Sequence, residues 1–280
     1  MPVCTQGDLL DCLAIEAAGD TAYTAPNLDL PYHRIFGGQL LAQAIAIATA
    51  SCSVSGKSSD EESAEKRVKS IHVTFPGPGD LREPVHYEVT RVQDGRSFAT
   101  RLILGTQAAK PIFTALVSLH IIEPGLDHQR KAPLVATPEE AEPTDLGLIP
   151  WETRVVGGVD LRSEAVGPPR LEFWQRAAAL PADPTVHAAL FAYSTDLTLI
   201  GTSLRPHAGV SEAHSPDRLH TAVTSHSVWF HRPLRMDQWL LVAQESPSTA
   251  GARGFGTGHG YALGGELVAS FAQESMIRKP

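Results

Sequence analysis

Ile71-His-Val-Thr-Phe-Pro-Gly-Pro-Gly-Asp80 and His226-Ser-Val-Trp-Phe-His-Arg-Pro233 are two versions of one pattern, and their spacing decides the fold. Val73, Phe75 and Pro78 of the first stretch align with Val228, Phe230 and Pro233 of the second, 155 residues later. The same spacing aligns Ile112-Phe-Thr-Ala-Leu-Val-Ser118 with Leu267-Val-Ala-Ser-Phe-Ala-Gln273. Two matches at one spacing predict a duplicated unit. The polar residues that break its symmetry, Asp196 and Gln273, both lie in the second copy.

The size and charge of the chain limit the possible functions. Its 280 residues are enough for two domains of about 120–150 residues, each with its own core. Hydrophobic residues make up 42% and charged residues 19%, a balance typical of soluble globular proteins. The net charge of -8 argues against a nucleic-acid partner, because binding of phosphates needs clustered Lys and Arg.

Three features favour the cytoplasm as the location. Cys4, Cys12 and Cys52 show neither disulfide-framework nor zinc spacing. The first residues lack the basic segment of a secretory signal. The longest apolar run, residues 40–50, is too short to span a bilayer, so we expect no membrane span.

Each copy reads as one helix followed by strands. In the first copy, the Ala-rich residues 35–50 are apolar on nearly every side, which predicts a buried helix. The polar residues 51–63 then predict a surface loop. Strands are predicted at residues 85–90, 97–105 and 112–122, with a hairpin turn at Asp94-Gly95.

The second copy follows a change of composition. Residues 123–150 are rich in Pro and Glu, which predicts a stiff, extended linker. A helix is predicted near residues 185–193, and three later strands around His226, Leu240 and Leu267. We therefore predict an α+β fold in which a long antiparallel sheet wraps around a buried helix twice. The predicted domains are residues 1–122 and 151–280, joined by the linker 123–150.

Several motifs occur in one order along nearly the whole chain, and together they resemble the acyl-CoA thioesterase II family. They are Phe36-Gly-Gly-Gln39, Asp94-Gly-Arg-Ser-Phe98, Ser194-Thr-Asp-Leu197, Arg205-Pro-His207, His226-Ser-Val-Trp-Phe-His-Arg-Pro233, Ala252-Arg-Gly254 and Gln273-Glu274. The resemblance implies a double-hotdog fold and hydrolysis of fatty acyl-CoA to free acid and CoA by direct attack of water. It implies neither a cofactor nor a metal. Acyl-CoA is then the expected partner, and pairing of hotdog sheets into a homo-oligomer is possible.

Asp196 lies between apolar neighbours in Tyr193-Ser-Thr-Asp-Leu-Thr-Leu-Ile200. The residue type suits a helix cap or a turn. Alternatively, it is a partly desolvated carboxylate that takes a proton from water, since burial raises a carboxyl pKa toward neutral pH. The resemblance implies this catalytic role.

Gln273 ends an otherwise apolar strand, Leu267-Val-Ala-Ser-Phe-Ala. A strand-end side chain that faces water is one explanation of this amide. A buried amide would need hydrogen-bond partners, because an unpaired one costs about 1–3 kcal/mol. Its counterpart in the first copy is Ser118, so the amide belongs to the second copy alone. The resemblance implies that Gln273 helps to hold the water.

The third catalytic position departs from the family pattern. The family has a Ser or Thr three residues before the histidine of His-Ser-x-Trp-Phe, and here that residue is Val223. A β-bulge would bring Thr224 into its place, because an extra residue redirects the side chains that follow. Otherwise Ser225 or Thr221, on the face of Val223, would substitute. We therefore predict the catalytic set Asp196, Gln273 and Thr224.

Other residues allow further hypotheses. His207, His226 and His231 have no acidic or Cys partner at ligand spacing, so no metal site is predicted. Trp229, Phe230 and Trp239 are expected in the core. Backbone N–H groups of Gly37-Gly38 are candidates for an oxyanion site, and Arg232 or Arg253 for contacts with CoA phosphates.

Two other functions remain open at the level of sequence. A hotdog hydratase acting on enoyl-CoA would need an Asp-x-Asn-Pro-x-His motif, which the chain lacks. An acyl-CoA-binding protein with a degraded site would explain Val223. Neither the preferred acyl chain nor the oligomeric state follows from the residues.

Overall fold

The structure, a computed structural model, describes residues 3–53, 65–215 and 217–279. Most of the surface loop predicted at residues 51–63 lies outside the described residues. The elements of the first half are α1 (Gln6–Cys12), β1 (Glu16–Ala17), β2 (Ala22–Ala25), α2 (Gly37–Ser53), β3 (Arg67–Thr74), β4 (Val85–Asp94), β5 (Phe98–Gln107) and β6 (Lys110–His120). Those of the second half are β7 (Glu142–Pro143), β8 (Glu152–Val155), β9 (Arg170–Arg176), α3 (Pro184–Thr195), α4 (Leu199–Leu204), β10 (His220–Phe230), β11 (Leu240–Ala250), β12 (Arg253–Ala262) and β13 (Leu267–Arg278).

Within the described residues the strands form one 13-stranded sheet, in the order β1-β2-β4-β5-β6-β3-β10-β13-β12-β11-β9-β8-β7. Every neighbouring pair of strands is antiparallel. Strands β3 and β10 join the two halves, and α2 packs against α3 inside the curved sheet. The predicted double-hotdog fold is confirmed.

The apolar residues of the two helices explain why they lie inside. Leu41, Ile45 and Ile47 of α2 are fully buried, and so are Leu190 and Phe191 of α3. A helix without a polar face is stable only where other elements cover it on all sides, and the two half-sheets provide that cover.

The backbone repeats with the spacing read from the sequence. The bounds of β5 and β12 differ by 155 residues at both ends. Irregularities of register repeat as well, between Gly105 and Thr106 and again between Gly260 and Tyr261. A pseudo-twofold axis passes between His72 and Ser227, which are paired across the two central strands and hydrogen bonded at 3.0 Å.

Strand β12 was not predicted, because its glycines interrupt any apolar alternation. They allow close approach by the core: a Cβ atom on Gly258 would lie 2.2 Å from Phe271 Cζ, and one on Gly260 would lie 2.5 Å from Phe191 Cζ. Aromatic rings therefore pack directly on this strand, where side chains would otherwise stand.

The Pro-rich residues 123–150 run over the outer face of the second half-sheet. The indole N–H of Trp174 donates to the carbonyl of Ala136 at 2.9 Å, and Ala141 packs in a small cluster with Trp174 and Trp239. The short strand β7 lies in this range, so part of it belongs to the sheet. The expectation that Trp229 lies in the core is wrong: it is 39% exposed on the outer sheet face, because alternation on β10 directs Val228 inward.

Candidate functional site

Opposite ends of the two central helices meet at one crevice. The N–H of Gly38, in the first turn of α2, faces the carboxylate of Asp196, the C-cap residue that follows α3. A Cβ atom on Gly38 would lie 2.4 Å from the carbonyl oxygen of Tyr193, so the two helices can meet this closely only at glycine. The cavity here has a volume of about 510 Å³. Its lining includes Gly37, Asp196, Glu212, Val223 and Thr224.

Asp196 is both a helix cap and a buried carboxylate. Its side chain is 2% exposed, and its Oδ1 atom has no hydrogen-bond partner among the residues that the structure describes. Burial raises the pKa of Asp196 to about 7, although the hydrogen bond from Gly38 acts in the opposite direction. A carboxylate with a free oxygen and a pKa near neutral pH can accept a proton from a nearby water.

Gln273 does not face water. It is 2% exposed in β13, directly opposite His226 of β10, and its Nε2 donates to Ser275 Oγ at 2.9 Å. Its Oε1 lies 3.0 Å from His226 Nδ1, and Asp196 Oδ1 lies 3.9 Å from the same nitrogen. The carboxylate and the amide, 77 residues apart in sequence, thus meet at one imidazole ring.

Hydrogen bonds on both sides hold the ring of His226. Its Nε2 lies 2.9 Å from Thr195 Oγ1, and Thr195 is the last residue of α3. Burial lowers the pKa of His226 to about 4, against the effect of its hydrogen bond with Gln273, so the ring is neutral at pH 7. With the proton on Nδ1, the ring donates a hydrogen bond to Gln273 Oε1. The same N–H group, with its partial positive charge, also lies close to Oδ1 of Asp196.

Thr224 lies at a β-bulge. The register between β10 and β13 shifts between Val223 and Ser225, so Thr224 has no residue opposite it. Thr224 lines the same cavity as Asp196, and its hydroxyl donates to the carbonyl of Glu274 at 2.9 Å. Thr221 also lines the cavity, whereas Ser225 is absent from the lining formed by the described residues.

The sequence did not reveal two features of this crevice. Glu212, in a short 3-10 turn, is a second carboxyl in its wall, and burial raises the pKa of Glu212 to about 7 despite a hydrogen bond from Gly201 N–H. The sequence likewise shows no sign that His226 links Asp196 to Gln273. Both features depend on packing between elements distant in sequence, and no local pattern marks them.

The predicted phosphate contacts lie elsewhere. Arg232 lines a different crevice and pairs with Asp127, and Arg253 pairs with Glu274 at 3.4 Å on the surface. Arg34 is the one Lys or Arg in the lining of the Asp196 crevice, as far as the described residues show. Its guanidinium donates to the carbonyl of Thr221 at 2.8 Å.

The described residues contain neither a candidate metal site nor a helix that could span a membrane. Residues 3–53, 65–215 and 217–279 contain no group of three or more His, Cys, Asp or Glu that could hold a metal ion. Across the same residues, every helix is too short or too polar to cross a membrane.

Comparison with known proteins gives matches to both halves of the chain. The family model described as acyl-CoA thioesterase matches residues 164–276, and the model described as acyl-CoA thioesterase N-terminal domain matches residues 28–120. Human acyl-coenzyme A thioesterase 8 is 31% identical over 95% of this chain and 87% of its own length.

Solved structures agree with this result. The tesB protein of Mycobacterium avium subspecies paratuberculosis superimposes with a TM-score of 0.81 at 29% identity, over 98% of this chain and 100% of that one. A protein of Alicyclobacillus acidocaldarius described as having a hot dog fold superimposes with a TM-score of 0.72 over 99% and 100% of the two chains. At 17% identity this second likeness supports the fold alone.

Proposed function

This chain belongs to the acyl-CoA thioesterase family, and we propose that it hydrolyses fatty acyl-CoA by attack of a water that Asp196 deprotonates. One observation carries the proposal: a buried carboxylate with a pKa raised to about 7 and an unpartnered oxygen lies in the wall of the cavity. Such a group is the base that the reaction needs near neutral pH.

The reaction itself asks little of the protein. The oxygen of the water attacks the thioester carbonyl carbon, and its proton passes to Asp196. The carbon–sulfur bond then breaks, and the sulfur leaves with its electron pair as the thiolate of CoA. A thiol with a pKa of about 8–9 is a good leaving group, so no strong general acid is required.

Neighbouring groups would fix the water and the base. Gln273, opposite His226 on β13, would supply an amide, and Thr224, two residues before His226 on β10, would supply a hydroxyl. His226 is a positioning residue, since its ring is held by Thr195 and in turn holds the amide of Gln273. Groups whose own partners fix them lose little entropy when the substrate binds.

The N-terminus of α2 would stabilise the oxyanion. The N–H of Gly38 faces the carboxylate of Asp196 and acts to lower its pKa. Gly37 precedes it in the lining of the cavity. The partial positive charge of the helix end faces the site where negative charge develops on the thioester oxygen.

Two variants test the identity of the base. Asp196→Asn should lower kcat for octanoyl-CoA, followed by thiol release, by about 10²–10⁴-fold. Glu212→Gln removes the other carboxyl whose pKa burial raises to about 7 in the same wall, and it should retain most of the rate. A large loss in Glu212→Gln together with a near-normal rate in Asp196→Asn would transfer the role to Glu212. Binding of a non-hydrolysable S-octyl-CoA without any thiol release by the parent enzyme would favour a binding protein instead.

Assembly and location extend the proposal. Leu102 and Leu116 face each other across β5 and β6 and are 39% and 42% exposed. Leu104 of β5 is also exposed, at 38%. An apolar group on an outer sheet face is often covered by a partner, so we propose a homo-oligomer contact there. Light scattering should show a smaller particle for Leu116→Glu than for the parent chain.

The free thiols Cys4, Cys12 and Cys52 suit a reducing cytoplasm, which is the location we propose.

A further inference from the structure

A second crevice lies where the duplication predicts a counterpart of the Asp196 crevice. The pseudo-twofold axis between His72 and Ser227 exchanges the two ends of the β3–β10 pair. At the end opposite to Asp196 there is a cavity of about 460 Å³, close in size to the 510 Å³ of the first. The two cavities are therefore related by the duplication of the fold.

The bulge that carries Thr224 is also duplicated. In β3 the register with β6 shifts between Val68 and Ser70, as the register of β10 with β13 shifts between Val223 and Ser225. Lys69 consequently occupies the position of Thr224, and it lines the second crevice as Thr224 lines the first. The backbone has kept the site, and the side chains have changed.

The second crevice has lost the hydrolytic groups. At the repeat spacing, Ile71 replaces His226 and Ser118 replaces Gln273. Two carboxylates line it among the described residues, and each is paired, Glu65 with Arg67 at 3.3 Å and Glu123 with His120 at 2.8 Å. Both side chains are exposed to solvent, so this described lining contains no buried carboxylate like Asp196 to deprotonate water.

Positive charge has replaced these groups. In a chain of net charge -8, five Lys and Arg line this one crevice: Lys66, Arg67, Lys69, Arg232 and Arg235. Arg232 and Arg235 pair with Asp127 and Asp237. Lys66 and Lys69 are half-buried and form no ion pair with the described residues. Two ammonium groups in one lining, without an ion pair among the described residues, favour binding of a multiply charged anion.

A buried donor without a partner points to the same conclusion. His187 lines the crevice and is 1% exposed. Its Nδ1 accepts from the N–H of Met236 at 3.1 Å, so Nε2 carries the proton of the neutral ring. Nε2 makes no hydrogen bond with the described residues, although the carbonyl of Pro181 lies near enough to act on the pKa of the ring. Buried N–H groups normally have an acceptor, which a ligand would supply.

We propose that the second crevice binds a CoA-class ligand, free CoA or acyl-CoA, without hydrolysing it. Lys66 and Lys69 contact its phosphates, and Nε2–H of His187 donates to one of its oxygens. The lining also includes the apolar side chains of Val68, Ile121 and Phe230, which suit the uncharged part of such a ligand. Only the choice of ligand class rests on the proposed function. The cavity, its charge and the loss of catalytic groups do not.

Calorimetric titration of the 280-residue chain with free CoA tests the proposal. CoA is not a substrate, so hydrolysis cannot disturb the measurement. The parent chain should bind two CoA per chain, and Lys69→Glu should weaken one of the two sites by about tenfold or more because it reverses a charge next to phosphate. Lys69→Arg should retain both sites. The matched charge reversal Lys110→Glu, at the exposed start of β6, should also retain both.

Parallel assays separate this proposal from the proposed function. Octanoyl-CoA hydrolysis should persist in Lys69→Glu, because Lys69 lies outside the Asp196 crevice. S-octyl-CoA and sodium octanoate distinguish the phosphorylated ligand from a free fatty acid. No bound CoA, CoA binding that Lys69→Glu leaves unchanged, or binding of octanoate alone would each overturn the proposal, whereas a single site that Lys69→Glu weakens would uphold it. Two CoA sites in a chain that releases no thiol would uphold the second site and overturn the hydrolase.

Discussion

Burial of Asp196 should make the enzyme less stable as the pH rises, and Asp196→Asn should remove the part of that dependence that Asp196 causes. The pKa of this carboxyl is raised from 3.8 in the unfolded chain to about 7 in the folded one. The folded state therefore binds the proton more tightly. The tighter proton binding stabilises the folded state fully below about pH 4, and this stabilisation is lost as the pH rises through about 7.

The structure sets the size of the effect. Between the two pKa values the slope is about 1.4 kcal/mol per pH unit, so about 2–3 kcal/mol of folding free energy is lost between pH 5 and pH 8. The side chain is 2% exposed, so solvent screening does not reduce this value much. Asn cannot ionise, and its Oδ1 can still accept from Gly38. The variant should therefore match or exceed the parent in stability at pH 8 while it loses its activity.

Urea unfolding of both proteins at pH 5, 6, 7 and 8, followed by circular dichroism, measures this difference. Glu212, whose pKa is also raised to about 7, is present in both proteins, so its contribution cancels. Equal pH dependence in parent and variant would refute the argument, because Asp196 would then titrate as an exposed carboxyl. In the parent, kcat should rise with pH to a plateau above about pH 7, since the base must be ionised.

Three further variants probe the parts around the base. His226→Phe should lower kcat about tenfold and shift the pH midpoint of kcat upward, because Asp196 loses a nearby N–H that favours its ionised form. His226→Gln should restore part of the rate. An unshifted midpoint in His226→Phe would mean that the ring has only a structural role. Thr224→Val should lower kcat about tenfold, whereas Ser225→Ala should not; the reverse order would assign the hydroxyl to Ser225. Gly38→Ala should cost at least about 2 kcal/mol in urea unfolding, because its Cβ would meet a backbone carbonyl at 2.4 Å; an unchanged midpoint would show that the helices can separate.

Much of the fold follows from the repeat in the sequence. Two matches at one spacing predicted two copies of a sheet around a buried helix, because hydrophobic positions recur wherever the backbone recurs. The same spacing would also have predicted β12 from β5, since their bounds coincide when one is shifted by the repeat. The composition of β12 alone does not predict a strand. Its inward positions are glycines covered by side chains from other elements, so the strand shows no alternation of apolar residues.

The candidate site was predictable only where a local rule applied. The bulge at Thr224 followed from a misplaced Val223, because one extra residue in a strand restores the expected face. The link from Asp196 through His226 to Gln273 required the pairing of β10 with β13 and the arrival of α3 at that point. Glu212 likewise joins the wall only through packing of its turn against Gly201 of α4. Contacts between distant elements leave no periodic signal in a single sequence.

Duplication explains why one crevice carries the chemistry and the other carries charge. A buried carboxylate with a pKa near 7 costs about 4 kcal/mol of folding free energy once it is ionised, a large share of the 5–15 kcal/mol available to a typical domain. Glu212, whose pKa burial also raises to about 7, already adds a similar cost, and another such group in the second crevice would add a further one. Replacement of His226 by Ile71 fills the equivalent space with a fully buried apolar side chain, and Lys69 at the duplicated bulge is only half-buried. The second crevice could therefore keep its shape and its affinity for an anion at a much smaller cost in stability than the first.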